Sequence, residues 1–393
     1  MNSILFTEEF CRPENLYPFT LTRQLQDIRV GILTIREKWE KWLSLPSFDL
    51  KEDDYKDFEQ SRTIADAVKN GICYMIHGNI IPDAHLVEAV LALQPGEFIS
   101  ANGNAGIIYC ISQNEVRQQH QITVKNAVNY TAPIMQLQTP WQIFQFNDQA
   151  IRMDFELLTH DRVSAGIPSS VTVIGDPSQI FLEEGANLQY CTLNAMAGPL
   201  YLGKDAEIME GSFIRGPFAM GEKSCVKMGA KIYAATSMGP YCIAAGEIKN
   251  SVMFGYSNKA HDGYLGDSVI GEWCNMGAGT TNSNLKNNAG PVRIWTQEGE
   301  KDAGQKCGVL MGDYSRTAIN TSINTGTVIG VCCHVAGTGL TPKYIPNFSW
   351  GSDGVMRYQF EKALMDAEGW KKLKNQSLSE QEKIILKYIF DHL

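Results

Sequence analysis

From Leu202 onward an apolar residue returns at every sixth position: Leu202, Ile208, Ile214, Met220, Val226, Ile232, Met238. Four residues after each of the first six stand Ala206, Ser212, Phe218, Ser224, Ala230 and Thr236, five of them small. A second run follows at Tyr264, Ile270, Met276. A third follows at Met311, Thr317, Ile323, Ile329, Val335, again with small companions at Ser315, Thr321, Thr327 and Cys333. A period of six fits neither the 3.6 of a helix nor the 2 of a strand. It marks a hexapeptide β-helix, in which three short strands close one triangular coil and coils bury their faces on one another. The period lapses between Met238 and Tyr264. The stretch Thr281 to Cys307, rich in Asn, Lys and Gly, reads as an extruded loop.

Upstream the pattern changes. Ile4-Leu5-Phe6, Ile72 to Ile76, Ala101 to Ile111 and Trp141 to Phe146 read as strands, and Ile35 to Leu43 and Ala84 to Leu93 as helices. Strands alternating with helices predict an α/β layer. Asn147 to Leu158 predicts a helix leading into the coil. Val171, Val173 and Ile180-Phe181-Leu182 predict its irregular first rungs. Beyond Val335 the pattern weakens. IPNFSWG reads as a plug on the end of the coil or, alternatively, a stacking platform. The tail from Met356 is helical, with a capping box at Ser377 and Glu380 opening a helix from Leu378 to Phe390. The expected organisation is an α/β domain over 1–160, a β-helix over 161–345, and a C-terminal plug with a helical tail over 346–393.

The 393 residues, 44% hydrophobic and 20% charged, suit two or three domains. A net charge of −9 argues against a nucleic-acid partner. No apolar run approaches the ~18 residues of a membrane span. The opening MNSILFTEEF lacks a basic segment, so a cytoplasmic chain is expected. The ten cysteines contain no C-x-x-C pair and read as reduced packing residues, with no metal site expected.

Polar residues gather where the rungs lapse: Lys249, Lys259, His261, Asp262, Tyr264 and Asp267, then Asn275, Asn282 and Asn284. A neutral imidazole takes a proton near neutrality, so His261 is a candidate base; the alternative is a solvated corner residue.

KAHDGYLGDSVIGEWCNMGAGTTNSN resembles the acetyltransferase domain of the bifunctional UDP-N-acetylglucosamine pyrophosphorylase/glucosamine-1-phosphate N-acetyltransferase family. That family carries KAGH, two residues, YLGD, a rung, then a GAGT turn and an asparagine. The resemblance runs from Lys249 to Asn284. It implies a left-handed parallel β-helix, a homotrimer, acetyl-CoA as donor and a sugar amine as acceptor. It also implies His261 as catalytic base, Lys249, Tyr264 and Asn275 on the sugar phosphate, and Asn284 and the Ala278 backbone beside the acyl donor. From below, an amine must lose its proton to attack a thioester, and the Gly277-Ala278-Gly279 turn offers an amide to the oxyanion. The family's arginine pair after GPFA is absent; Lys227 or Lys231 stands nearest as a substitute. Lys286 is displaced from the loop lysine, and Val309 to Thr327 keeps the length but not the side chains of the donor rungs.

The N-terminal half resembles the same family's nucleotidyltransferase half. Arg12 and Leu16-Tyr17-Pro18-Phe19-Thr20 are similar to R-L-x-P-L-T, and Met75-Ile76-His77-Gly78-Asn79 to L-x-G-D. Arg12, Arg23, Gly78 and Asn79 are thereby candidate nucleotide contacts; ion pairing is the alternative for the arginines. The G-x-G-T-R loop is missing, with Thr7-Glu8-Glu9-Phe10-Cys11 in its place, as is the lysine soon after P-L-T. Asn79 replaces the magnesium-binding aspartate. A close approach to phosphate needs glycine, and an amide is a weaker Mg²⁺ ligand than a carboxylate. Mg²⁺ is expected only if this half is active. Asp148, Asp154 and Glu156 could pair on a metal, but a solvated helix face is the plainer reading.

The sequence therefore predicts a nucleotidyltransferase-like α/β domain, a left-handed β-helix and C-terminal helices. The expected function is acyl transfer from acetyl-CoA to an amino-sugar phosphate or nucleotide sugar. Sugar-1-phosphate nucleotidyl transfer and a non-catalytic sugar-nucleotide scaffold are the alternatives.

Overall fold

The computed structural model describes residues 2–8, 11–50, 55, 61–69, 71–101, 106–116, 122–351 and 353–393. The chain forms two compact units. One gathers Met1–Pro13, Arg23–Ile28 and Leu33–Gln138; the other gathers Glu14–Thr22, Arg29–Ile32 and Thr139–Leu393.

The first unit is built on a seven-stranded sheet ordered Ser61–Arg62, Ser47–Leu50, Ser3–Thr7, Cys73–His77, Gly106–Ile111, Glu97–Ala101, Asn126–Tyr130. The central strands Ser3–Thr7 and Cys73–His77 are buried throughout and pair in parallel, as strands covered on both faces do. The helix Ile35–Leu43 opens on a capping box of Thr34 and Glu37, and Ala84–Ala92 opens on Asp83. The expected strand Ala101 to Ile111 is two strands, Glu97–Ala101 and Gly106–Ile111, with residues 102–105 outside the described residues.

In the second unit the hexad residues take successive strands around a triangle. Leu202, Ile208 and Ile214 close one coil, and Met220, Val226 and Ile232 the next. Parallel pairing stacks Leu202 on Met220 and Met220 on Met238, eighteen residues apart. The resulting sheets have six, nine and ten strands. This is a hexapeptide β-helix, consistent with the left-handed form.

The interior column does not lapse between Met238 and Tyr264, where the hexad count predicted a break. It runs on through Ala244, Ile248, Met253, Lys259, Leu265, Ile270, Met276 and Asn282. Ala244 to Ile248 takes four residues, so this corner is two residues short and shifts the phase. Leu265 to Ile270 takes five, so Tyr264 points outward and its neighbour Leu265 fills the interior. The interval Thr281 to Cys307 does leave the coil, carrying the small hairpin Arg293–Ile294 and Lys301–Asp302.

The three faces differ in cover. The nine-stranded face lies under this unit's own chain: Asn147 Nδ2 donates to the Ala235 carbonyl at 2.8 Å, and the Phe19 and Phe254 rings meet at 5.2 Å. The late coils of the ten-stranded face lie under the C-terminal helices, with Tyr314 Oη donating to Glu382 at 2.7 Å. The six-stranded face stays open, and Ile174, Phe213 and Tyr233 are 43%, 57% and 40% exposed on it.

Three local expectations change. Trp141 to Phe146 is not a strand: Gln142–Gln145 is helical, and Gln142 Oε1 accepts the Thr139 N–H. A short apolar run carries no period to separate the two. The capping box sits two residues later than predicted, at Ser379 and Glu382, opening Glu380–His392. Lastly, IPNFSWG holds a rung, Ser349–Trp350, while Phe348 is buried against Phe390 at 5.0 Å.

Candidate functional site

The polar residues of the middle coils fall on one edge of the triangle and the open face beside it. Where the ten-stranded face turns into the six-stranded one, each coil makes a tight corner. Gly263, at φ +122°, occupies such a corner, and a Cβ there would meet the Thr280 carbonyl oxygen at 2.2 Å. The stacked corners line a groove of about 650 Å³ whose walls include Lys227, Met228, His261, Asp262, Ala278 and Asn320. Three of the predicted residues, His261, Lys227 and Ala278, thus meet in one groove.

His261 is exposed, and its ring has no hydrogen-bond partner among the described residues. The backbone of its corner is held from inside the coil. Lys259, 1% exposed, occupies an interior position, and its Nζ donates to the His261 carbonyl at 2.6 Å and the Asp262 carbonyl at 3.2 Å. Burial pushes its ammonium down to about 8, with the Asp262 carboxylate opposing the shift. The Asp262 carbonyl also accepts the Gly279 N–H at 3.1 Å from the next coil. In the Gly277-Ala278-Gly279 turn, Gly277 N–H goes to Thr317 and Gly279 N–H to Asp262. Ala278 N–H is left uncommitted among the described residues, at the groove wall.

A second group lies on the open face. Asn284 Nδ2 donates to Tyr264 Oη at 3.0 Å and also to the Asp267 carboxylate, which takes Asn250 Nδ2 at 2.7 Å. Burial is the main cause lifting the Tyr264 phenol above its ordinary value, with Asp267 adding to it. An ionised carboxylate only accepts, so it fixes the Asn284 amide. Asn284 Oδ1 is then left as an acceptor, and Tyr264 Oη, already accepting, is left to donate. Lys249 is exposed, in register with Gly266 beside this group. Asn275 is placed apart, on the ten-stranded face, where its Oδ1 accepts from Asn258 at 3.4 Å.

Sequence reasoning quoted Lys259 and Asp267 inside the motif but gave neither a role, and it missed Asn250 and Asn320. The signal for Lys259 was a cation in interior phase, visible only once the short steps from Ala244 to Ile248 and from Ile248 to Met253 are both counted.

In the first unit Gly78 and Asn79 follow the strand Cys73–His77. A Cβ at Gly78 would meet Gln26 Oε1 at 2.4 Å, so the backbone passes close there. Asn79 is 4% exposed; its Nδ2 donates to the Leu137 carbonyl at 2.9 Å, and its Oδ1 accepts from Cys11 Sγ and Gln136 Nε2, both at 3.3 Å. That amide oxygen is spent inside the protein, so Mg²⁺ does not fit at Asn79. Among the described residues no group of three His, Cys, Asp or Glu is arranged to hold a metal. Arg12 is exposed and Arg23 buried. In the stretch where Gly-x-Gly was missing, Glu9 and Phe10 lie outside the described residues. Leu16 to Thr20, the stretch similar to R-L-x-P-L-T, packs within the second unit, with Tyr17 Oη donating to Asn347 Oδ1 at 2.9 Å. The carboxylates Asp148 and Asp154 do not pair: Asp148 takes Arg152 at 2.7 Å, and buried Asp154 accepts the Ile32 N–H at 2.8 Å.

No helix among the described residues is long and apolar enough to cross a membrane. The chain is 33% identical over 99 residues to the bifunctional protein GlmU of Methanocaldococcus jannaschii, covering 25% of this chain and 24% of that one. It is 28% identical over 276 residues to a bifunctional sugar-1-phosphate nucleotidylyltransferase/acetyltransferase of Sulfurisphaera tokodaii, covering 68% and 61%. The chain thus spans less than two thirds of the length of either relative. A solved UDP-N-acetylglucosamine acyltransferase from Arabidopsis overlaps 51% of this chain and 76% of its own, at 16% identity and a TM-score of 0.30, too loosely to place any residue. Residues 3–163 match the sugar nucleotidyl transferase family, and over 68% of its length the chain is similar to a protein joining such a transferase to an acetyltransferase.

Proposed function

We propose that the β-helix transfers an acetyl group from acetyl-CoA to the amine of an amino-sugar phosphate or nucleotide sugar. The observation that carries this is the groove joining the His261 imidazole to the uncommitted Ala278 N–H. In the reaction the amine nitrogen attacks the thioester carbonyl carbon. His261 takes the proton that the nitrogen sheds, and the carbon–sulfur bond breaks. The thiolate leaves and recovers that proton from the imidazolium. Ala278 N–H faces the oxyanion. Lys249 and Lys227 supply positive charge for phosphate, and Tyr264 with Asn284 presents a donor beside an acceptor, which a sugar hydroxyl satisfies. Asn275 and Asn284 complete the proposed contacts to acceptor and donor.

The open six-stranded face, with Ile174, Phe213 and Tyr233 exposed, supports a homotrimer that covers it, since exposed apolar patches mark association surfaces. In a trimer Asn275 of one copy could approach the groove of another. A cytoplasmic location suits both substrates. The test is CoA thiol release with candidate amino-sugar phosphates. Release that depends on the amine supports the reading, and none with any amine overturns it.

The match over residues 3–163 favours a second reading, sugar-1-phosphate nucleotidyl transfer in the first unit, with Arg12, Arg23, Gly78 and Asn79 near the nucleotide. The committed Asn79 amide weighs against a Mg²⁺-dependent form of it. Pyrophosphate release from a nucleoside triphosphate and a sugar 1-phosphate would decide.

A further inference from the structure

We infer that Lys259 is a positioning residue that sets the spacing between His261 and the Ala278 amide, an inference resting on the proposed acyl transfer. The interior of this β-helix is otherwise apolar or hydroxylated along the same face: Ile208, Val226 and Ala244 precede Lys259, and Met276, Thr317 and Val335 follow. A buried ammonium is costly unless its hydrogen bonds are satisfied. An unbranched apolar chain occupies the equivalent place one coil later at Met276, so the space does not demand a lysine.

Lys259 holds one corner through its backbone oxygens, and one of those oxygens carries the bond to the next coil. Its Nζ reaches the carbonyls of His261 and Asp262, and the Asp262 carbonyl also receives the Gly279 N–H. One ammonium thereby ties the corner that carries the imidazole to the turn that carries the uncommitted amide. No described side chain fixes the His261 ring, so its placement follows this corner. The corner itself contains Gly263, whose conformational freedom gives it little stiffness of its own. Misplacing a reacting group by ~1 Å can cost ~10²-fold in rate. Local rules of patterning are broken where function requires it, and a lysine at an interior position is such a break.

The experiment compares Lys259→Met, His261→Ala and the parent chain in CoA release, thermal melting and amide hydrogen exchange of residues 260–263. Expected for Lys259→Met is kcat lower by ~10-fold or more, KM for both substrates within about twofold, a melting temperature equal or higher, and faster exchange at 260–263. A purely structural lysine would instead lower the melting temperature and leave kcat unchanged in the folded fraction. Unchanged kcat with a dead His261→Ala overturns the inference and spares the proposed function. Unchanged turnover in His261→Ala removes the base and with it the positioning role. In that case unchanged exchange at 260–263 would show that no clamp exists either.

Discussion

The coils between Leu202 and Met238 and those between Ala244 and Asn282 share one architecture and differ in everything that bears on chemistry. In the first set each coil takes eighteen residues and the interior column is wholly apolar. In the second, Met238 to Met253 takes fifteen residues and Met253 to Ile270 seventeen, and the interior admits Lys259 and Asn282. Shortened corners bring successive turns into new register, and the buried polar groups then tie those turns together. The regular coils supply stability and a rigid edge. The irregular ones use that edge to hold an imidazole, an amide and an Asp–Asn–Tyr group. If this division is real, substitutions in the two sets should separate activity from stability.

The largest separation is expected at His261. Its replacement by Ala should lower kcat by ~10²-fold or more, the range for loss of a general base, with melting unchanged because the side chain is exposed. Next comes Asp267→Asn. An amide there can set its own N–H against the Asn284 amide and free Asn284 to flip, so Tyr264 and Asn284 lose their fixed donor and acceptor order. Hydrogen bonds to charged groups are worth ~1.5–3 kcal/mol, so kcat/KM should fall ~10-fold or more. A smaller fall in KM-weighted rate than in Asn284→Ala would still fit; no change at all would break the network's assigned role.

In the regular set the opposite is expected. Ile232→Ala removes a side chain that is 2% exposed in the coil core. Large-to-small core changes cost ~2–5 kcal/mol, so the melting temperature should drop while kcat of the folded protein stays within about twofold. A comparable loss of kcat would mean that the early coils are not mere support.

These contrasts also explain what could be read in advance. The hexad at Leu202 to Met238 was legible because interior filling repeats without interruption. The helix at Ile35 was legible from apolar and charged residues at helical spacing, while its Thr34 and Glu37 cap was not. The motif from Lys249 to Asn284 was legible as a resemblance, but the roles of Lys259 and Asp267 were not. A six-residue count loses phase at the four-residue step from Ala244 to Ile248, and counting back by six from Ile270 overlooks the five-residue step from Leu265, which places Tyr264 inside instead of Leu265. Nor does one chain's sequence say that Asn275 lies on a different face from Tyr264. That follows from how coils wind. Asn79 was legible as a departure from a metal-binding aspartate, but its bond to the Leu137 carbonyl depends on a strand connection far along the chain.

The smallest expected effect is on stability against pH, and it isolates the cation in the interior column at Lys259. Burial lowers the Lys259 ammonium from the ordinary lysine value to about 8 in the folded chain. Between pH 8 and about 10.5 the unfolded chain therefore binds a proton that the folded chain has released. Stability gains from rising pH wherever the unfolded state binds more protons. The folded chain thus carries its full penalty for a buried charge below pH 8 and sheds it progressively up to about 10.5. Lys259→Met has no such group and pays nothing at either end. Its melting temperature should exceed that of the parent by a few degrees at pH 7, and the gap should close as the pH approaches 10.5. The remaining titratable groups are common to both chains and cancel in the difference. The regular-coil variant Ile232→Ala provides the contrast, because its deficit should hold constant across the same range. A gap for Lys259→Met that is equally flat would mean that the lysine keeps its ordinary affinity for protons, and the difference between the two sets of coils would reduce to geometry.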